Sequence, residues 1–150
     1  MERTHLGRSG MEVSRICMGT MTFGGQASQK ESHRMLDLCA ERGIDFFDTA
    51  NMYNAGASEE ILGAWLAQQA GRRERVVVAS KVFYPVGDDT ATTGLSRRII
   101  MRELDRTLAR LGTDYLDIYY LHAPDYHTAL DNAGDKAEKL KARLKGIDMK

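Results

Sequence analysis

An α/β fold built on a parallel sheet is what this sequence predicts, and three observations carry that expectation. Short apolar segments rich in β-branched and aromatic residues alternate with amphipathic segments of helical period. One of the short segments, "RVVVASK" at 75–81, is apolar on consecutive positions, so both its faces must be covered, as in a parallel sheet. The helical segments carry start signals, and glycine closes the first and third of them.

The elements follow in order. Residues 4–15, "THLGRSGMEVSR", predict a hairpin with "RSG" at the turn. "ICMGTM" at 16–21 is a short apolar strand, followed by a loop containing Gly24 and Gly25. Ser28 and Glu31 form a capping-box pattern ahead of a helix whose apolar side is Met35, Leu38, Cys39 and the stem of Arg42, with Gly43 as its stop. "IDFFD" at 44–48 is the next strand. The helix over 58–71 has Ser58 as its cap and glutamates in its first turn, where they suit the helix dipole. Ile61, Leu62, Trp65 and Leu66 give it one apolar face. After the strand at 75–81, a helix runs from Ser96 to Leu111 with the stripe Ile100, Leu104, Leu108 and Leu111, and Gly112 ends it. "YLDIYYL" at 115–121 is the fourth strand of the alternation. The open doubly wound sheet and the closed eight-fold barrel both fit this order, and periodicity does not separate them. No G-x-G-x-x-G follows the first strand, which counts against a dinucleotide-binding open sheet.

Composition bounds the function. A chain of 150 residues that is 43% apolar and 28% charged can build one domain with a core. The formal net charge of zero gives no electrostatic reason to expect nucleic acid or an anionic membrane as partner. No apolar run approaches the ~20 residues that span a bilayer, and "MERTHLGRSGMEV" lacks the apolar core of a secretory signal. Cys17 and Cys39 sit in no metal-spaced pair, so both are expected to be small buried thiols in a reducing cytoplasm.

The strand ends carry the chemistry. The strand at 44–48 stops on Asp48, the next on Lys81, and the last runs into His122; Tyr53 follows Asp48 in its loop. In a parallel sheet these positions share the carboxyl edge, where active sites form. Each residue has a plain reading on its own. Asp48 suits a loop or cap, and Lys81 a solvated edge. His122 suits a hydrogen-bonded structural histidine, and Tyr53 a rim aromatic. Convergence on one edge favours a joint role. An ammonium beside a phenol favours the phenolate, and an aspartate holds the ammonium in place. An imidazole orients a carbonyl oxygen by hydrogen bond, and the phenol donates its proton as charge develops there. The set contains no nucleophile, so carbon is attacked only if a bound cofactor delivers hydride.

Four separated motifs then resemble the aldo-keto reductase family: "GTMTFGG" (19–25), "DFFDTANMYNAGASEEILG" (45–63), "VVVASK" (76–81) and "LGTDYLDIYYLHAPD" (111–125). The opening "LGRSGMEVSR" is similar to the hairpin that closes the bottom of these barrels, and the resemblance covers about residues 3–125 of the single domain 1–150. It implies a (β/α)8 TIM-barrel type fold, here about its first four β/α units. It also implies reduction of a small-molecule aldehyde or ketone by NADPH (NADP). On the matching positions Tyr53 is the general acid, Lys81 with Asp48 tunes it, and His122 orients the substrate. Thr20, Met21 and Asp48 match positions near the nicotinamide and its ribose. The wording is similar to the branch containing channel-associated beta subunits and dialdehyde reductases.

A whole barrel of this type takes ~250 residues, so the expectation is half a barrel with weakened cofactor binding. Its open sheet edges are expected to promote self-association. Residues 128–145 predict a charged amphipathic helix within a divergent tail, 126–150. Two other functions fit part of this pattern. One is a non-catalytic half-barrel that binds a protein partner and keeps the four residues by inheritance. The other is a metal-dependent hydrolase using His122, Asp125, His127 and Asp48, which is short of strand-end histidines.

Overall fold

Local sequence signals set most of the elements in the computed structural model, which describes residues 1–128. The helix expected at 128–145 lies outside the described residues. At the start, β1 (Arg3–His5) and β2 (Glu12–Ser14) pair antiparallel. Their turn closes through the Leu6 N–H on the Met11 carbonyl at 2.9 Å. Asp45 ties this hairpin to the rest, accepting from Arg3 Nη1 at 2.7 Å and from the Ser14 N–H at 2.9 Å.

Four further strands make the main sheet: β3 (Cys17–Gly19), β4 (Phe46–Asp48), β5 (Val77–Val82) and β6 (Ile118–Leu121). They lie side by side in chain order, every pair parallel. A doubly wound sheet reverses its direction of growth at a switch point, whereas a barrel adds each strand on the same side. No reversal occurs among the described strands, so the sheet is an arc of barrel type. Helices α1 (Gln29–Glu41), α2 (Ala57–Ala67) and α3 (Arg97–Leu111) make the crossovers.

The core fills the layer between sheet and helices. Phe47 and Val78 meet Leu36 of α1, Leu62 and Trp65 of α2, and Leu104 of α3, all fully buried. Phe47 and Trp65 pack edge to face with centroids 5.3 Å apart. The expected stripes of α2 and α3 hold: Ile61, Leu62, Trp65, Leu66, Ile100, Leu104 and Leu111 are buried, with Leu108 packed partly against them. Ser28 and Glu31 form the capping box, and Ser96 caps α3 by accepting from the Ile99 N–H.

Several expectations shift. On α1 the buried face is Ser32 and Leu36 with Met35 and Cys39 beside them, while Leu38 is 50% exposed. Helical steps from Leu36 place Leu38 well round the cylinder from the core. Cys17 is exposed, not buried. It lies on a strand with one neighbour and is level with Phe46, on the face that the described strands do not close over. Partial burial, and then Asp48, nevertheless push its thiol up to about 11, so it is a poor nucleophile. Ser58 is not a cap: it sits inside α2, and Gly56, at φ 98°, takes the capping position. The strands are also shorter than the apolar runs, and before β5 the chain winds into a turn at Arg73–Arg75.

Gly63 marks where α2 and α3 touch. A Cβ there would lie 2.5 Å from the Arg110 carbonyl oxygen and 2.8 Å from the Leu111 backbone. Backbone cannot swing aside as a side chain does. Gly63→Ala is therefore expected to lower the unfolding free energy by roughly 2 kcal/mol or more, measured by urea denaturation. An unchanged midpoint would mean that the helices do not pack this closely.

Candidate active site

The parallel register decides what meets at the carboxyl edge. Asp48 is level with Ala79, and Lys81 lies two residues further along β5. Residues two apart on a strand share a face, so Asp48 and Lys81 project from the same side. Across from Asp48 on β3 is Gly19, which has no side chain to intrude. The Lys81 ammonium forms an ion pair with Asp48. It also donates to the Thr49 carbonyl at 2.9 Å and to the Tyr53 hydroxyl at 3.0 Å. An ammonium has three protons, and these three acceptors use them all. Because the Tyr53 oxygen accepts from Lys81, its own proton is left to point elsewhere.

His122 joins them from the end of β6, its N–H bonded to the Val82 carbonyl at 3.0 Å. Its ring stands edge-on to Tyr53, centroids 5.9 Å apart, and to Tyr84, at 5.1 Å. Burial, and then the Lys81 charge, lower its pKa, while Asp48 pulls the other way. The ring is therefore neutral near pH 7. Among the described residues its buried Nδ1 has no hydrogen-bond partner.

Behind this front lies a buried framework. Ser58 Oγ donates to the Thr20 carbonyl at 2.8 Å and lies 3.0 Å from Thr49 Oγ1 and 2.8 Å from Thr20 Oγ1. Thr20 in turn grips the Asp48 carbonyl, by its N–H at 2.9 Å and its hydroxyl at 3.0 Å. The hydroxyl cluster thus pins the Asp48 and Thr49 backbone on which Lys81 rests. One residue on, Glu59 is fully buried and accepts from Ser80 Oγ at 2.6 Å, Thr107 Oγ1 at 2.9 Å and Arg110 Nη1 at 2.8 Å. It links α2 to α3 and to the residue that precedes Lys81. Burial raises its pKa against the pull of these donors.

Tyr53 itself stands at the head of a tight turn, Tyr53–Gly56. Asn54 and Ala55 both adopt left-handed backbone there, at φ 49° and 56°. Asn tolerates that region; Ala at φ > 0 stores about 1–2 kcal/mol of strain.

The structure thus gathers Asp48, Tyr53, Lys81 and His122, as the strand ends led one to expect. Met21 is 64% exposed on the rim of this region. Thr20 is fully buried, its hydroxyl engaged with the Asp48 carbonyl and Ser58 Oγ. Asp125 also has another occupation, accepting from the Leu95 and His127 N–H groups and from Thr128 Oγ1. Among the described residues no group of three or more His, Cys, Asp or Glu is placed to hold a metal ion. The hydroxyl cluster and the Glu59 network escaped sequence reasoning. Ser58 and Glu59 read as an ordinary helix start, and only the threonines beside the motif glycine and aspartate hinted at more.

Two expectations follow. His122 should titrate below the ordinary histidine value of about 6.5, followed by its ring-proton NMR signal. Lys81→Met should move that midpoint up and Asp48→Asn should move it down. Since the unfolded chain takes up this proton first, the His122 contribution to stability is lost as pH falls below about 6.5; an elevated midpoint would reverse that sign. Glu59→Ala, which strands Arg110 and two hydroxyls, should cost about 3 kcal/mol in chemical denaturation.

The model of the aldo/keto reductase family matches residues 15–147. An uncharacterized oxidoreductase of Bacillus subtilis, YrpG, is 44% identical over 146 residues, covering 92% of this chain and 45% of its own. Probable voltage-gated potassium channel beta subunits of Oryza sativa and Arabidopsis thaliana are 40% and 37% identical over 132 residues, covering 87% of this chain and 40% of theirs. The chain therefore spans less than half the length of these relatives. With a match across most of its residues, the chain belongs to the aldo/keto reductase family.

Proposed function

We propose that this chain carries the proton-donating site of an NADPH-dependent oxidoreductase that reduces a small-molecule aldehyde or ketone to an alcohol. The observation that carries this reading is the Lys81 ammonium, held by Asp48 and the Thr49 carbonyl and placed 3.0 Å from the Tyr53 hydroxyl. Negative charge developing on the phenol oxygen as its proton leaves is stabilised by that fixed ammonium. Tyr53 gives its proton to the substrate oxygen and is reprotonated from water. His122, neutral and beside Tyr53, holds the carbonyl in place by hydrogen bond.

A dihydronicotinamide held here would supply hydride for the carbonyl carbon. The donor set fits that partner: it can protonate and polarise a carbonyl, yet it contains no group that attacks carbon. Met21, exposed at the rim, and Asp48 are the residues of this chain assigned to the nicotinamide and its ribose, with Thr20 acting from behind through Asp48. A cytoplasmic setting belongs to the same proposal; among the described residues no helix is long and apolar enough to cross a membrane.

The names of two relatives favour a second reading, a channel-associated or scaffold protein that keeps the site without turnover. In either case β3 and β6 each have one neighbour among the described strands, and Ile16, just before β3, and Leu121, at the end of β6, are about half exposed. Self-association through these edges is part of the proposal; a stable monomer in size-exclusion chromatography would count against it.

The deciding experiment is NADPH oxidation with an aromatic aldehyde. Tyr53→Phe should reduce the rate roughly a hundredfold or more, the range of a lost general acid. Equal rates would remove the role given to Tyr53. No NADPH binding together with specific capture of a channel subunit would favour the scaffold reading.

A further inference from the structure

We infer that Asn54 is a positioning residue. Its side-chain amide locks the left-handed turn that aims Tyr53 at Lys81, and the Gly24–Gly25 loop after β3 exists to receive it. The inference rests on the proposed function only for its consequence in catalysis; the geometry stands and is tested separately.

Asn54 Nδ2 gives its two protons to two backbone carbonyls, Met21 at 2.9 Å and Phe23 at 2.8 Å. Both acceptors lie in the loop that follows β3. That loop is itself fixed. Phe23 is fully buried in the core, its N–H bonds to the Thr20 carbonyl at 3.0 Å, and the Ala27 N–H bonds to the Thr22 carbonyl at 3.0 Å. The turn is therefore fastened to a loop that is itself hydrogen-bonded and anchored in the core. It needs fastening, because Asn54 at φ 49° and Ala55 at φ 56° adopt consecutive left-handed conformations that an unanchored chain would leave.

The loop is shaped for this side chain. A Cβ on Gly25 would lie 2.6 Å from Asn54 Oδ1 and 3.1 Å from its Nδ2. A Cβ on Gly24, at φ 78°, would lie 2.7 Å from the Ala57 Cβ at the start of α2. The glycine pair thus clears both the amide seat and the approach of the following helix. Two motifs far apart in sequence, "TFGG" and "YNAG", are the two halves of one joint. Tyr53 is the residue immediately before that joint. Its hydroxyl can meet Lys81 at 3.0 Å only while the backbone after it keeps this unusual course.

NMR tests the inference without turnover, on the whole chain. Wild-type protein should show cross-peaks between the Tyr53 and His122 rings and between the Phe47 and Trp65 rings, matching the edge-on pairs. Asn54→Gly tolerates the left-handed backbone but donates no side-chain hydrogen bond. It should lose the Tyr53–His122 cross-peaks while keeping those of Phe47–Trp65; a merely structural role would weaken both together. Gly25→Ala, which fills the amide seat, should give the same split and decides the question if Asn54→Gly does not fold. Ala55→Gly keeps the anchor and relieves the strain, so it should retain every cross-peak. Retention of the Tyr53–His122 cross-peaks in folded Asn54→Gly or Gly25→Ala would overturn the inference, as would their loss in Ala55→Gly. Their absence from wild-type protein would instead remove the placement of Tyr53 on which the proposed function depends. If the joint holds, active Asn54→Gly protein should lose at least tenfold in kcat with KM for NADPH little changed.

Discussion

Lys81 keeps an ammonium on a side chain that is 13% exposed, and the site is organised around satisfying it. Withdrawing such a charge from water is expensive unless each proton finds an acceptor and an opposite charge stands nearby. Asp48 supplies the charge, and the Thr49 carbonyl and Tyr53 oxygen supply the remaining acceptors. The arrangement is self-consistent, since the acceptors that keep the ammonium in place are also what orients them. A parallel register is its precondition. With β4 or β5 slipped by one residue, Asp48 and Lys81 would face opposite sides of the sheet.

Buried polar contacts stand behind the front together with the apolar core. The Thr20–Thr49–Ser58 hydroxyls fix the backbone at Asp48 and Thr49, and Glu59 fixes α2 against Ser80 and Arg110. Such groups are costly to bury singly and strongly orienting once every partner is in place. The strained turn at Asn54 and Ala55 belongs to the same economy of parts: an unfavourable backbone is tolerated where the residue before it must point in one direction.

Much of the scaffold and of the front of the site was legible in the sequence, each for a physical reason. Amphipathic stripes identified α2 and α3, because Trp65 and Leu104 recur at the spacing that burial requires. Polar residues ending apolar runs identified Asp48, Lys81 and His122, because a buried strand terminates on charge where something must meet solvent or substrate. The choice between open sheet and barrel was not legible from periodicity; strand order supplied it. Glu59 and Glu60 do stand in the first turn of α2, but Ser58 lies inside the helix, although a serine before glutamates at a helix start ordinarily means a cap. The buried carboxylate of Glu59 is satisfied by Arg110 and Ser80, and Ser58 by Thr20 and Thr49, all distant in sequence, and no local pattern reports that. Cys17 is exposed for a similar reason, since an apolar strand is buried only if its neighbours close over it.

The placement of the Lys81 ammonium is tested most directly by its own NMR signal, in isotope-labelled protein, with Lys81→Met used for assignment. Hydrogen bonding to three fixed acceptors predicts an ammonium signal displaced from those of the solvated lysines, and further displaced by Tyr53→Phe and by Asp48→Asn separately. A Lys81 signal like that of a free surface lysine, unmoved by either substitution, would contradict the geometry and the chemistry built on it.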